Sequence, residues 1–556
     1  MRALAELERL KAEYGGDAAA KKRALLKSLA RATLASAPQV LRLHEALVFL
    51  RAYPDDAALS ADVERMLAAF ATRRDLARHR RALADSGVAG TEIRYPFFAE
   101  TAHWLARRWP ERITLDWGEF DAERLEPALP LLALHPESPG LDERDLGVRG
   151  WIDRMRGRDT DAAFLVRRFF AVPMGEFARE TYYDAMDPTI RLAPGPDTPS
   201  RTLQAARVPR IAYRTAPLRR DRPDLFRAAR LRPRAVRELR GRDARAMIDL
   251  ARGTLVTRGR DLDAFAYASE RDVRVLDWED GLQIAFLGVQ PWRRLMLEAV
   301  YGLLMLENGV PIGYLAQSAL LGSAEIAFNV FETFRGAEAA HLFARVLASV
   351  RHLFRADTFT LDPYQLGEDN DEAIRSGAWW FYQKLGLRSR DPSVLRLMGR
   401  ELRRMRGNPR HRSSVGTLKR LASSNVFLEL GRRRPDVLGE FDLGGVGLAV
   451  TDFLARSFGA DRDRAERELS RDAARRLGVR SFRGWSADER LWWARWAPLV
   501  AVLPGIGRWS AADRRALAGV IRAKGGARES EFVLRFDRHG TLRRALGTLA
   551  RKGGVR

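Results

Sequence analysis

Cysteine is absent from all 556 residues, which excludes disulfides, thiolate metal sites and a cysteine nucleophile. Lysine is nearly absent: of 96 basic residues eight are Lys, so 88 are Arg. The eight histidines are scattered, no two share one helical turn in a His-x-x-x-His pair, and no metal is expected. No apolar run reaches membrane-spanning length; the most apolar late stretch, 491–506, is broken by Arg495, Pro498 and Pro504. The charged opening Met1-Arg2-Ala3-Leu4-Ala5-Glu6 offers no signal-peptide core, so the expectation is a soluble, cytoplasmic chain without membrane insertion. Gly-Lys never occurs, which removes the phosphate-binding loop of nucleotide hydrolases. Gly445-Val446-Gly447 and Gly505-Ile506-Gly507 lack the third glycine of a dinucleotide fingerprint, and no Gly-x-Ser-x-Gly elbow surrounds Ser323.

What is present is a globular composition, 46% hydrophobic, long enough for roughly two to four domains. The formal charge of +24 would attract any polyanion at low salt. The extreme Arg:Lys ratio, with abundant Ala, Leu and Gly, also reads as the codon bias of a GC-rich, bacterial-like genome.

Pattern divides the chain into four regions. Residues 1–185 are mostly helical: Leu25, Leu26, Leu29 and Leu34, then Val40, Leu41, Leu43 and Leu47, recur at amphipathic-helix steps. Residues 186–242 form a Pro/Arg-rich connector with eight prolines, which cannot be one long helix or a central strand. Between 201 and 242 it carries fourteen arginines against Asp221, Asp224 and Glu238, so it reads either as a solvated linker or as a phosphate-contacting arm. In 243–395 a helix over 244–255 precedes strand patterns at 273–278, 282–289, 296–306, 312–319 and 324–331. Asn308-Gly309 between two apolar runs predicts a hairpin. An amphipathic helix to 354, a strand at 359–361 and a helix ending at Gly386 complete it. Residues 396–556 are helical again, with capping-box-like starts at Ser486 and Ser510.

The segment Phe334-Arg335-Gly336-Ala337-Glu338-Ala339-Ala340 after a strand, and Ala378-Trp379-Trp380-Phe381-Tyr382-Gln383-Lys384-Leu385-Gly386-Leu387 later, resemble the GNAT acyl-CoA N-acyltransferase superfamily. The resemblance covers about residues 240–395. It implies an α/β (α+β) GNAT-like central domain with a mixed, mainly antiparallel sheet, flanked by mostly helical N- and C-terminal regions. It further implies acyl-CoA (acetyl-CoA) as co-substrate, with Arg335, Gly336, Ala337 and Ala340 cradling its pyrophosphate and His341 one turn further in. Backbone amides beside Val330, Phe331 and Glu332 would polarise the thioester carbonyl. Tyr382 would be the general acid at the sulfur and Glu325 the general base toward the amine. The sequence departs from the family pattern at Glu338, where the central glycine belongs: a carboxylate there opposes pyrophosphate unless it turns away.

The leading expectation is a GNAT-like acyltransferase, with an amine-bearing small molecule or protein as acceptor. Two alternatives stay open. One is a degenerate, non-catalytic GNAT-fold domain that binds a ligand or protein. The other is an Arg-rich nucleic-acid-associated protein using 201–242 and 400–420, whose binding would fall steeply with salt.

Overall fold

The structure, a computed structural model, describes residues 2–336 and 338–553. Strands β1 (Ile93–Tyr95), β2 (Ile113–Leu115) and β3 (Ile190–Leu192) form a small antiparallel sheet in the order β1-β3-β2. Its core, with Leu105, Ile113, Phe169 and Tyr183 among its members, is separate from the main one. The helix Asp161–Ala171 packs into this unit through Leu165, Val166 and Phe169.

The larger sheet is mixed. It contains β4 (Ala235–Leu239), β5 (Ala268–Asp277), β6 (Leu282–Val289), β7 (Ala299–Glu307), β8 (Val310–Leu320), β9 (Ser323–Val330), β10 (Thr358–Leu361), β11 (Arg388–Ser389) and β12 (Val426–Glu429). Their spatial order is β11-β12-β10-β9-β8-β7-β6-β5-β4, and every neighbouring pair is antiparallel except β9 and β10. β4 and β12 lie outside the 243–395 span, so the sheet draws strands from the connector and from the C-terminal region.

Local chemistry explains the meander. Asn308 and Gly309 adopt φ of +50° and +80°, the positive values a two-residue hairpin demands, and Glu307 pairs with Val310 across them. The strand expected at 296 starts only at Ala299. Before it, the buried Arg294 guanidinium donates to the carbonyls of Val289 at 3.2 Å and Gly526 at 2.8 Å and holds the chain in a bend. β6 to β8 are apolar almost throughout because both faces are covered.

Five helices frame the sheet's two faces and its clefts: α1 (Ala37–Ala52), α2 (Ala99–Arg108), α3 (Gly241–Val256), α4 (Ala339–Phe354) and α5 (Ala378–Lys384). Phe354 of α4 packs on Tyr301 and Phe286, whereas Phe265, just after α3, packs on Tyr314. Tyr301 pairs with Gln317, three residues from Tyr314, so α3 and α4 cover opposite faces of the sheet.

The connector is extended from 193 to 224, but it is neither free nor simply solvated. The Ala206 amide donates to the Gly309 carbonyl at 2.8 Å, the Ala212 amide to Asn308 Oδ1 at 2.7 Å, and the Arg214 amide to the Pro54 carbonyl at 2.8 Å. It is therefore a strap tied to the β7–β8 turn and the end of α1. Six of its arginines (201, 214, 219, 230, 237 and 240) are bound to acids or carbonyls of the protein itself. Among the described residues no helix is long and apolar enough to cross a membrane, and no group of three or more His, Asp or Glu is placed to hold a metal ion.

Candidate functional site

β9 and β10 run parallel for only three pairs, Ser323 with Thr358, Ala324 with Phe359 and Glu325 with Thr360. Beyond Glu325 the strands part, while β9 stays paired with β8 up to Val330. The 326–330 edge facing β10 thus has no strand beside it. A strand edge without a partner presents backbone donors and acceptors that an extended ligand satisfies. A cleft of about 250 Å³ occupies the gap, bounded by Phe328 to Val330, by Arg335, Gly336 and Ala339, and by Ser376, Ala378 and Tyr382.

Its floor is aromatic. Phe328 meets Phe343 of α4 at 5.2 Å between ring centroids, and Phe343 meets Tyr382 of α5 at 5.4 Å, both edge to face. Burial, with Asp362 nearby, keeps the Tyr382 phenol protonated far above neutrality. The loop after β10 is stiffened by two caps: Asp362 Oδ1 accepts the Gln365 amide at 2.9 Å, and Asn370 Oδ1 accepts the Ala373 amide at 3.1 Å.

Glu325 is the last residue of β9 paired with β10; it lies on the face of the strand away from Phe328 and is not among the residues that bound the cleft. It is half-buried, and its carboxyl is pushed up to about 7, by burial first and then by Asp362 and Glu298. A carboxylate poised there can accept a proton at neutral pH.

The turn leading into α4 is held from the N-terminal side of the chain. Phe334 is fully buried against Phe49 and Tyr53 of the α1 segment. Thr333 donates to the Glu45 carboxylate, which also takes Arg201 at 2.5 Å. Burial alone would raise Glu45, but His44, Arg201 and Arg258 outweigh it and hold the carboxyl at about 2. Arg258 lies 3.7 Å from the Phe331 ring centroid. Gly336 has φ +82° with open space around it, so glycine is needed there for its backbone and not for room.

Glu338 turns away from the cleft. Its side chain accepts Arg214 Nη2 at 2.8 Å, Arg214 Nη1 at 3.2 Å and the Arg219 amide at 3.0 Å. Arg214 also donates to Glu307 at 3.1 Å and lies 5.3 Å from the Tyr53 ring centroid. Glu338 is thus an anchor for the strap, its carboxylate turned inward toward Arg214 and away from the cleft.

The remaining expected residues divide. Val330, Arg335 and Gly336 line the cleft with Tyr382. The Phe331 amide does not serve it, because that amide donates to the Ile312 carbonyl at 3.0 Å and continues the β8–β9 ladder. Glu332 is exposed and opens a 3₁₀ turn over Glu332–Phe334. Ala340 lies on α4 away from the cleft lining, and His341 Nε2 is bound to Asp221 of the strap at 3.1 Å, so neither meets the cavity. Ala337 lies outside the described residues.

Arg335 donates its Nε to the Val330 carbonyl at 3.1 Å and pairs with Glu372 across the mouth. Arg260 approaches the same carboxylate at 3.5 Å. Sequence reading missed Glu372, Glu45, Arg214 and Arg258. Arg214 and Arg258 are lost among 88 arginines, and no local pattern marks the two acids. Compared with protein-family models, with curated proteins and with solved structures, the chain matches none.

Proposed function

We propose that the chain is a GNAT-like acyltransferase that moves an acyl group from acyl-CoA to an amine. The observation that carries this reading is the parting of the parallel strands β9 and β10, with the left-handed Gly336 turn and the start of α4 at its mouth. An extended pantetheine arm can pair with the 326–330 edge, and amides at a helix start favour phosphate. In this reading Glu325 takes the proton from the attacking amine while the N–C bond forms. The C–S bond breaks as Tyr382 gives its phenolic proton to the leaving thiolate. Phe331 plays no part in polarising the thioester carbonyl.

A second reading is favoured by one specific contact. Glu372 already neutralises Arg335, the cation nearest the mouth, as a domain that no longer binds a pyrophosphate would allow. Calorimetric titration of the full chain with acetyl-CoA and with desulfo-CoA separates the two. Saturable heat with both supports the enzyme; no heat with either at millimolar concentration sinks it and favours a non-catalytic fold. For an Arg-rich polyanion binder the commitment of six of the connector's arginines to the protein is unfavourable. A salt series with duplex DNA checks it, and failure to bind at low ionic strength removes it.

A further inference from the structure

A second cleft, of about 640 Å³, opens between α2, the middle of α3 and the start of β5. Most of its acids are engaged: Asp249 accepts the Trp104 indole N–H at 2.8 Å and pairs with Arg108, Glu270 pairs with Arg245 at 2.8 Å, and Asp488 pairs with Arg271. Two of its arginines are not so engaged. Arg107 is exposed, and Arg252 is half-buried. Among the described residues neither has a carboxylate within 4.0 Å. Arg252 spends Nε on the Phe265 carbonyl at 3.3 Å and Nη2 on the Ala266 carbonyl at 2.5 Å, and Nη1 makes no protein hydrogen bond among the described residues. Glu100, Asp249 and Asp261 act on it through space without reaching ion-pair distance, so this half-buried guanidinium keeps an unfilled donor that an anion entering the cleft would satisfy.

The neighbours fit an anion. His103 lies against Phe170 with ring centroids 4.0 Å apart. Burial first, then Arg107, Arg179 and Arg252, push its imidazole down to about 4, so it adds no charge at neutral pH and can accept a hydrogen bond. Glu100 is the one acid of the lining without an ion pair among the described residues; burial pushes its carboxyl up, while Arg252, Arg107 and Arg179 draw it back. The walls are the indoles of Trp104 and Trp292, the latter fixed by donation to Gln290 Oε1 at 2.8 Å. Guanidinium forks match carboxylate and phosphate oxygens in pairs.

We propose that this cleft binds a small organic dianion, a phosphate monoester or a dicarboxylate, held by Arg252 and Arg107 with its carbon skeleton between the two indoles. The site is independent of the acyl-transfer reading. Calorimetric titration of the full chain with AMP and with succinate tests it. The expected result is saturable binding of one or both with a Kd below about 1 mM. Arg252→Gln and Arg107→Gln should each weaken it at least about tenfold, the loss of one charge-assisted fork. AMP alone identifies a phosphate ester and succinate alone a dicarboxylate. Arg107 is exposed, so Arg107→Gln remains decisive even if Arg252→Gln fails to fold. Three results would overturn the proposal: no saturable heat with either compound at several times that concentration, binding that survives Arg107→Gln unchanged, or AMP binding that disappears only in Arg335→Gln and so belongs to the other cleft.

Discussion

Replacing Glu307 by Gln should make the protein more resistant to alkaline unfolding. The Glu307 side chain is 2% exposed, and burial raises its carboxyl to about 8 despite the Arg214 guanidinium 3.1 Å away; Glu338, on the same arginine, adds to the rise. Because this folded value lies above the ordinary 4.5, the fold favours the protonated acid. That contribution is present in full below 4.5 and is lost as pH climbs through about 8. The gap between the two values, at ~1.4 kcal/mol per pH unit, bounds the loss at about 5 kcal/mol, and relaxation around the shared arginine reduces it to about 2–3 kcal/mol. The amide introduced by Glu307→Gln has no proton to lose and still offers Arg214 a carbonyl oxygen. Urea unfolding at pH 5, 7 and 9 should therefore give near-equal stabilities at pH 5 and a variant about 2–3 kcal/mol more stable at pH 9. A stability difference that stays constant from pH 5 to 9, or a variant that is the weaker protein at pH 9, refutes the reasoning.

The same contacts set three other outcomes. Glu338→Ala leaves Arg214 with Glu307 as its single acidic partner and unties the strap from α4; breaking such a buried pair costs about 3–5 kcal/mol in denaturant unfolding, and a cost below ~1 kcal/mol would contradict the anchoring role. If Glu325 is the base, kcat/KM for acyl transfer rises with pH through about 7 as the carboxyl ionises, and Glu325→Gln lowers it by about 10²–10⁴-fold and flattens that rise. Tyr382→Phe keeps the ring contact with Phe343, so the acetyl-CoA Kd should hold while kcat falls; equal losses in both would assign Tyr382 a packing role only.

The sheet was legible where chemistry is local. Asn308-Gly309 fixes its own turn whatever surrounds it, and the apolar runs at 282–289 and 312–319 became strands covered on both faces. The caps at Ser486 and Ser510 also formed as their spacing implies, each serine accepting the amide three residues on. β4 and β12 were not legible: 235–239 is largely exposed and carries Arg237 and Glu238, and Val426–Glu429 is too short for a period to show. At the site, Tyr382 and the Arg335-Gly336 turn were named only through the resemblance of their segments to the GNAT pattern. The acids and arginines that hold the turn come from positions up to 288 residues away, as Glu45 and Thr333 do, and only the fold brings them together. Glu338 shows the limit most plainly, since nothing beside it in the chain announces Arg214.

The most direct test is amide hydrogen exchange on the full chain with and without saturating acetyl-CoA. If the donor lies between β9 and β10, exchange slows within 326–336 and in the loop over 365–376, while α2 and the middle of α3 are unchanged. Saturable binding with no protection in 326–336, or protection confined to the cleft around Arg252, would contradict the proposed site.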